Sequence, residues 1–150
     1  NDAPSSFTRL EEMGIEPFLM ANSTIGIISQ RLARRLCQNC KVPAEVDQAT
    51  LGFLGYTPDN APPLFKGEGC DKCNHTGKKG RVGIYEVLVF TSELKSLVAS
   101  GADLIKLREA GFKEGMKPLR ISGAMKVGSG LTTIEEVLKV APPIRDTLAK

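Results

Sequence analysis

The only four cysteines of this 150-residue chain fall in two short stretches, "LCQNCKV" and "GCDKCNHTGKKGRVGIYE". The spacing is Cys-x-x-Cys, 29 intervening residues, then Cys-x-x-Cys again. Two residues between thiols let both sulfurs face one ion while the intervening N–H groups turn toward them. Two such turns supply the four tetrahedral ligands that Zn²⁺ takes in a closed structural site. Cys37, Cys40, Cys70 and Cys73 are therefore the candidate metal ligands. Gly69 before the second pair, and Gly77 and Gly80 after it, leave the backbone room to turn tightly. A rubredoxin-like iron, redox-active thiols and vestigial pairs are the other readings of the same residues. The gap exceeds the roughly 15 to 20 residues of a zinc ribbon, so the segment between the pairs reads as an excursion tied down at its base.

A tetrathiolate site has no open coordination position, which makes it structural rather than catalytic. The single histidine, His75, reads as a turn residue or a supporting donor, not a fifth ligand. The chain contains no G-x-x-x-x-G-K-[ST], H-E-x-x-H or G-x-S-x-G, so the segment on its own is not expected to be an enzyme. Neither pair opens a helix after a strand, the setting that would lower a thiol pKa for exchange chemistry, which argues against a thiol oxidoreductase.

The elements that must position these cysteines are mostly helical by pattern. "PSSFTRLEEMG" reads as a short helix capped by Ser5 or Ser6 and stopped at Gly14. "EPFLMANSTIGIISQRLARRLC" reads as a long one, with Pro17 at its first position and Phe18, Ala21, Ile25, Ile28 and Leu32 forming one apolar stripe. Arg31, Arg34 and Arg35 would then share a face at the helix end, where cations match the macrodipole or present guanidinium groups to an anion. Cys37 would hang from that helix C-terminus. "VDQATLGFLG" reads as a small helix with Asp47 as N-cap and Gly55 as stop. "PLFKG" and "VGIYEVLVF" are the strand candidates. Four short helices follow from Thr91, two of them with capping-box spacing at Ser100-x-x-Asp103 and Thr132-x-x-Glu135, and "APPIRDTLAK" reads as a loose tail.

Composition narrows the class. With 41% hydrophobic and 25% charged residues the balance is that of a soluble globular chain, not a disordered one. The net charge of +3 suits contact with an acidic surface but is too small to argue for nucleic acid. Zinc held by four thiolates carries −2, which would bring it to about +1. Arg31, Arg34, Arg35, Lys78, Lys79 and Arg81 support an alternative, a free-standing tetracysteine zinc module that binds nucleic acid. With six Phe, two Tyr and no Trp, platforms for stacking bases are few, and no nucleic-acid partner is expected. There is no signal-peptide pattern, and the most apolar window, "FLMANSTIGII", is too short and polar to span a bilayer. The cysteines therefore read as reduced and cytosolic. The opening "NDAP", without an initiator Met, suggests a piece of a longer protein.

In order, "NDAPSSFTRLEEMG", "PFLMANSTIGIISQRLARRLCQNC", "GCDKCNHTGKKGRVGIYEVL" and "LTTIEEVLKV" resemble the C-terminal part of the type II secretion and type IV pilus assembly ATPases, from residue 1 to about 140. The resemblance implies a mixed α and β, mostly helical fold. Residues 1–36 would be the end of a RecA-like P-loop ATPase core, 37–82 an inserted tetracysteine zinc lobe, 83–140 a strand plus helical C-terminal region, and 141–150 a tail. It implies a homo-hexamer on the cytoplasmic face of the inner membrane, where ATP and Mg²⁺ in the parent protein drive pilin or pseudopilin assembly through an integral-membrane platform protein. Membrane association would be peripheral, through partners. Cys37, Cys40, Cys70 and Cys73 match the family's zinc ligands position by position. Arg31, Arg34 and Arg35 would be candidates for contact with a neighbour's nucleotide phosphate. The family's Walker A, Walker B and histidine boxes lie upstream; of the "His-Thr-Asn-Asp-Ala" run, Asn1, Asp2 and Ala3 are present here, and Lys78 stands where the family often carries an aromatic.

Overall fold

The computed structural model describes residues 2–142; most of the expected tail, from 143 on, lies outside the described residues. Seven α-helices and four strands are present among them, in a mixed α and β arrangement. In chain order these are α1 (Ser5–Glu12), α2 (Pro17–Ser23), β1 (Gly26–Leu36), β2 (Lys41–Pro43), α3 (Gln48–Gly52), β3 (Phe65–Gly67), β4 (Lys78–Val89), α4 (Ser92–Ala99), α5 (Leu104–Lys113), α6 (Leu119–Gly128) and α7 (Ile134–Val140), with a 3₁₀ turn at Asp71–Cys73.

The long helix expected from Pro17 to Cys37 is not formed. It stops at Ser23, and the second half is strand β1. The run Thr24–Ile28 carries four β-branched side chains around Gly26, a combination that lowers helix propensity and suits a pleated strand. β1 then gains a full-length partner in β4. The pairing is antiparallel: Phe90 N–H bonds to Ile25 O at one end, and Cys37 N–H to Gly77 O at the other. The expected stripe does not form either. Ala21 is buried, but Phe18, Ile25, Ile28 and Leu32 are exposed, Ile25 by 87%.

The described residues divide into two units, one from 2 to 29 and from 85 to 118, the other from 30 to 84 and from 119 to 142. In the first, Phe7, Met20, Leu88, Phe90, Leu94 and Leu107 are among the residues of a continuous core. The Phe7 and Phe90 rings lie 4.8 Å apart by centroid. Asp2, rather than Ser5 or Ser6, accepts the orphan N–H at the start of α1, that of Ser5, at 3.0 Å, and its carboxylate also receives Arg108 Nε at 2.6 Å. Burial pulls the Asp2 pKa up, yet the bonds from Arg108 and Ser5 win and hold it below the ordinary carboxylate value.

The second unit packs α6 and α7 with Leu51, Leu54 and Ile84. Gly123 makes the close helix contact possible, since a Cβ there would sit 2.3 Å from Val137 Cγ1. Asp47 caps α3 by accepting the N–H of Thr50, as its position suggests. The cap of α7 is Thr133, one residue later than the spacing implied. That frees Thr132, whose hydroxyl donates to Arg34 O at 2.7 Å. Leu36 N–H bonds to Leu131 O at 2.9 Å, so residues 131–136 line the edge of β1 that faces away from β4.

Candidate metal centre

Three turns of backbone converge the cysteines. β1 ends at Leu36 and delivers Cys37 directly, so this cysteine follows a strand and not a helix C-terminus. Cys40 sits just before β2, whose residues Lys41, Val42 and Pro43 pair with Gly67, Lys66 and Phe65 of β3. That pairing brings the start of the second pair back to the first, closing the excursion at its base. Cys70 precedes the 3₁₀ turn and Cys73 is its last residue. Asn74 and His75 continue it with φ of +54° and +60°, a conformation Asn and His tolerate better than most residues.

All four Sγ atoms lie within 4.8 Å of one another. The separations Cys37–Cys70, Cys40–Cys73 and Cys70–Cys73 are 3.8, 3.9 and 3.7 Å. A tetrahedron with Zn–S bonds of about 2.3 Å has edges of about 3.8 Å, so the donor set fits one such ion. The thiols are free rather than disulfide-bonded. Their close approach to each other is possible because Gly67 and Gly77 touch backbone to backbone; a Cβ on Gly67 would lie 2.0 Å from Gly77 O.

Hydrogen bonds prepare the sulfurs for negative charge. Gly69 N–H donates to Cys40 at 3.3 Å, while Cys70 N–H and Gly77 N–H donate to Cys73 at 3.3 and 3.2 Å. The Asn39 carboxamide donates to Cys70 at 3.3 Å. Burial pushes the Cys73 thiol up, but these backbone donors and the adjoining thiols outweigh it and bring it to about 6. Burial dominates at Cys40 and lifts it to about 11, with Gly69 opposing and the other thiols adding. Cys70 is lowered, chiefly by Asn39. Four thiolates at this spacing repel one another, so ionising all of them calls for a cation at their centre. Beside Cys37 a hollow of about 360 Å³ is lined by Arg35, Lys72 and Lys79, whose charges oppose that of a tetrathiolate.

Among the described residues His75 takes no part in the cluster. Its Nε2 lies 3.1 Å from Asp71 Oδ1 on an exposed turn, and its N–H bonds to Cys70 O, as expected of a turn residue. Arg31, Arg34 and Arg35 do not share a helix face, because they lie on β1. Alternation sets Arg31 and Arg35 on one side of the strand and Arg34 on the other. Two participants were missed in the sequence. Glu136 is buried and receives Lys78 Nζ, Lys139 Nζ at 2.9 Å and Arg34 N–H at 3.3 Å. Lys78 thus makes an ion pair across 58 positions of sequence, a partner that no local pattern marks. Asn39 was the second, with nothing in its spacing to mark it.

A family model described as "Type II/IV secretion system protein" matches residues 1–139. The chain is 46% identical over 144 residues to the type IV pilus assembly ATPase TfpB of Acinetobacter baylyi, covering 95% of this chain and 25% of that protein. It is 47% identical over 148 residues to the type IV pilus assembly ATPase PilB of Myxococcus xanthus, with 97% and 26% covered. It is 41% identical over 140 residues to the type II secretion system protein E of Pseudomonas aeruginosa, with 93% and 28% covered. The chain thus spans about a quarter of the length of these relatives. Among the described residues no helix is long and apolar enough to cross a membrane.

Proposed function

This chain belongs to the type II/IV secretion system protein family, and we propose that it is the metal-stapled C-terminal portion of a motor ATPase that powers pilin or pseudopilin assembly. The observation that carries the reading is the family-model match over residues 1–139, which takes in both cysteine pairs, beside relatives named as pilus assembly ATPases and secretion system components. In the parent, a RecA-like core binds ATP and Mg²⁺, six copies form a ring at the cytoplasmic face of the inner membrane, and an integral-membrane platform protein receives the work. Residues 1–36 belong with that core, 37–82 form the zinc lobe and 83–140 the C-terminal region. This segment does no chemistry. Zn²⁺ bound by Cys37, Cys40, Cys70 and Cys73 would fix β1, the β2–β3 pair and the start of β4 as one piece. Arg31 and Arg35, together on one side of β1, are the better pair for a neighbour's nucleotide phosphate; Arg34 lies on the other.

The test is made on the full-length protein. It should hold one zinc per chain, with all four thiols protected until a chelator is added. A Cys37→Ser, Cys70→Ser variant should lose the zinc, keep nucleotide affinity and lose ring assembly together with at least tenfold of its ATP turnover. Normal assembly and turnover in the zinc-free variant would remove the staple role. Absence of any ATP hydrolysis in the unaltered protein would remove the motor reading.

A further inference from the structure

We propose that Asn39 is a positioning residue of the metal centre: its carboxamide reaches from the first cysteine pair to the Cys70 sulfur of the second and sets how slowly the metal leaves. The inference rests on the zinc reading above.

The geometry is direct. Asn39 lies between Cys37 and Cys40, and its Nδ2 donates to Cys70 Sγ at 3.3 Å across 31 positions of sequence. The backbone returns the favour, since Gly69 N–H, just ahead of the second pair, donates to Cys40 of the first at 3.3 Å. The two pairs are therefore laced in both directions by N–H···S bonds, and one of the two laces is a side chain. Its neighbour Gln38 has the same functional group and a different duty. Gln38 Nε2 donates to Leu36 O at 3.0 Å, and its Oε1 accepts from Lys41 Nζ at 3.4 Å, so it braces the backbone and touches no sulfur. Of the two carboxamides in this turn, Asn39 is the one directed at the metal ligands.

An N–H donor to a ligating sulfur fixes its orientation toward the metal and stabilises its negative charge, so the sulfur is given up to a competitor more slowly. Donors behind metal ligands change affinity by about 10- to 100-fold where they have been removed. Cys70 is partly exposed, whereas Cys37 and Cys73 are buried. The lace therefore braces a ligand residue that lies nearer the surface than Cys37 and Cys73.

The experiment uses full-length protein loaded with zinc, a colorimetric chelator in excess and stopped-flow detection. Asn39→Ala should release zinc about tenfold faster. Asn39→Asp, the same shape with an acceptor where the donor stood, should release it faster still, and Asn39→His, which restores an N–H, should recover most of the loss. Gln38→Ala should stay within twofold of the unaltered protein. With cobalt in place of zinc, the thiolate-to-metal charge-transfer band should move in Asn39→Ala and not in Gln38→Ala, a signature that general loosening of the turn would not give. Release rates and spectra unchanged in Asn39→Ala, or an equal effect in Gln38→Ala, would overturn the proposal. Failure of the unaltered protein to take up metal would instead overturn the zinc reading on which it stands.

Discussion

Glu136 is a buried residue whose charge bears on the fold away from the cysteines. Its side chain is 5% exposed and accepts from two ammonium groups and one backbone N–H. Burial alone would raise its pKa; the bonds from Lys78 and Lys139 more than reverse this and hold it at about 2, below the ordinary 4.5. Because the folded value is the lower one, the contribution is fully present above about pH 4.5 and is lost as pH falls toward 2. Glu136→Gln should cost about 1–3 kcal/mol at pH 7, a range reduced because both lysines reach solvent. Urea unfolding of the two proteins should show that gap at pH 7 and a much smaller one at pH 3. An equal gap at both values would mean the loss is one of packing, not charge.

At the scale of elements, α6 and α7 depend on a missing methyl group. Gly123→Ala adds helix propensity but drives a Cβ into Val137, and should lower stability by about 1–3 kcal/mol. Gly128→Ala, in the same helix with only ordinary contacts beyond 3.6 Å, should be neutral or stabilising by up to about 1 kcal/mol. Denaturant midpoints of the two variants moving in the same direction would refute this account of the helix contact.

Local signals of this kind were readable in the sequence where a side chain acts on its own neighbours. Asp47 caps α3 and Thr91 caps α4 where their positions suggest, Pro17 begins α2, and the cysteine spacing announced a cluster. Reading failed where a distant partner decides. Residues 24–36 have an acceptable helical period, and only pairing with β4, some fifty positions on, makes them a strand. The error carried the three arginines with it. Glu136 and Asn39 were invisible for the same reason, since their partners at Lys78 and Cys70 lie far away in sequence.

At the scale of the molecule, the first unit carries more apolar surface than its own core uses. β4 alternates buried Glu86 and Leu88 with exposed Tyr85, Val87 and Val89, and Ile25 and Ile28 are exposed on or beside the paired strand, by 87% and 66%. Exposed apolar surface of this kind is the type that packs against other protein surfaces, and the relatives matched are about four times as long as this chain. Ile28→Asn should change the stability of the isolated segment by no more than about 0.5 kcal/mol, as for an exposed site. In the full-length protein the same change should lower the melting temperature by several degrees. Equal effects in both would show that the face stays in water.

The thirty positions separating Cys40 from Cys70 also have a meaning in time. A ribosome adding about 5–20 residues per second delivers the second pair roughly 1.5 to 6 seconds after the first. During that interval the nascent chain offers two thiols and half a site, and the lobe cannot close until the rest emerges. If zinc fills the site as proposed, copies made while zinc is scarce would wait with both pairs emerged and unjoined while those already folded kept their metal, so scarcity would be felt by new copies before old ones.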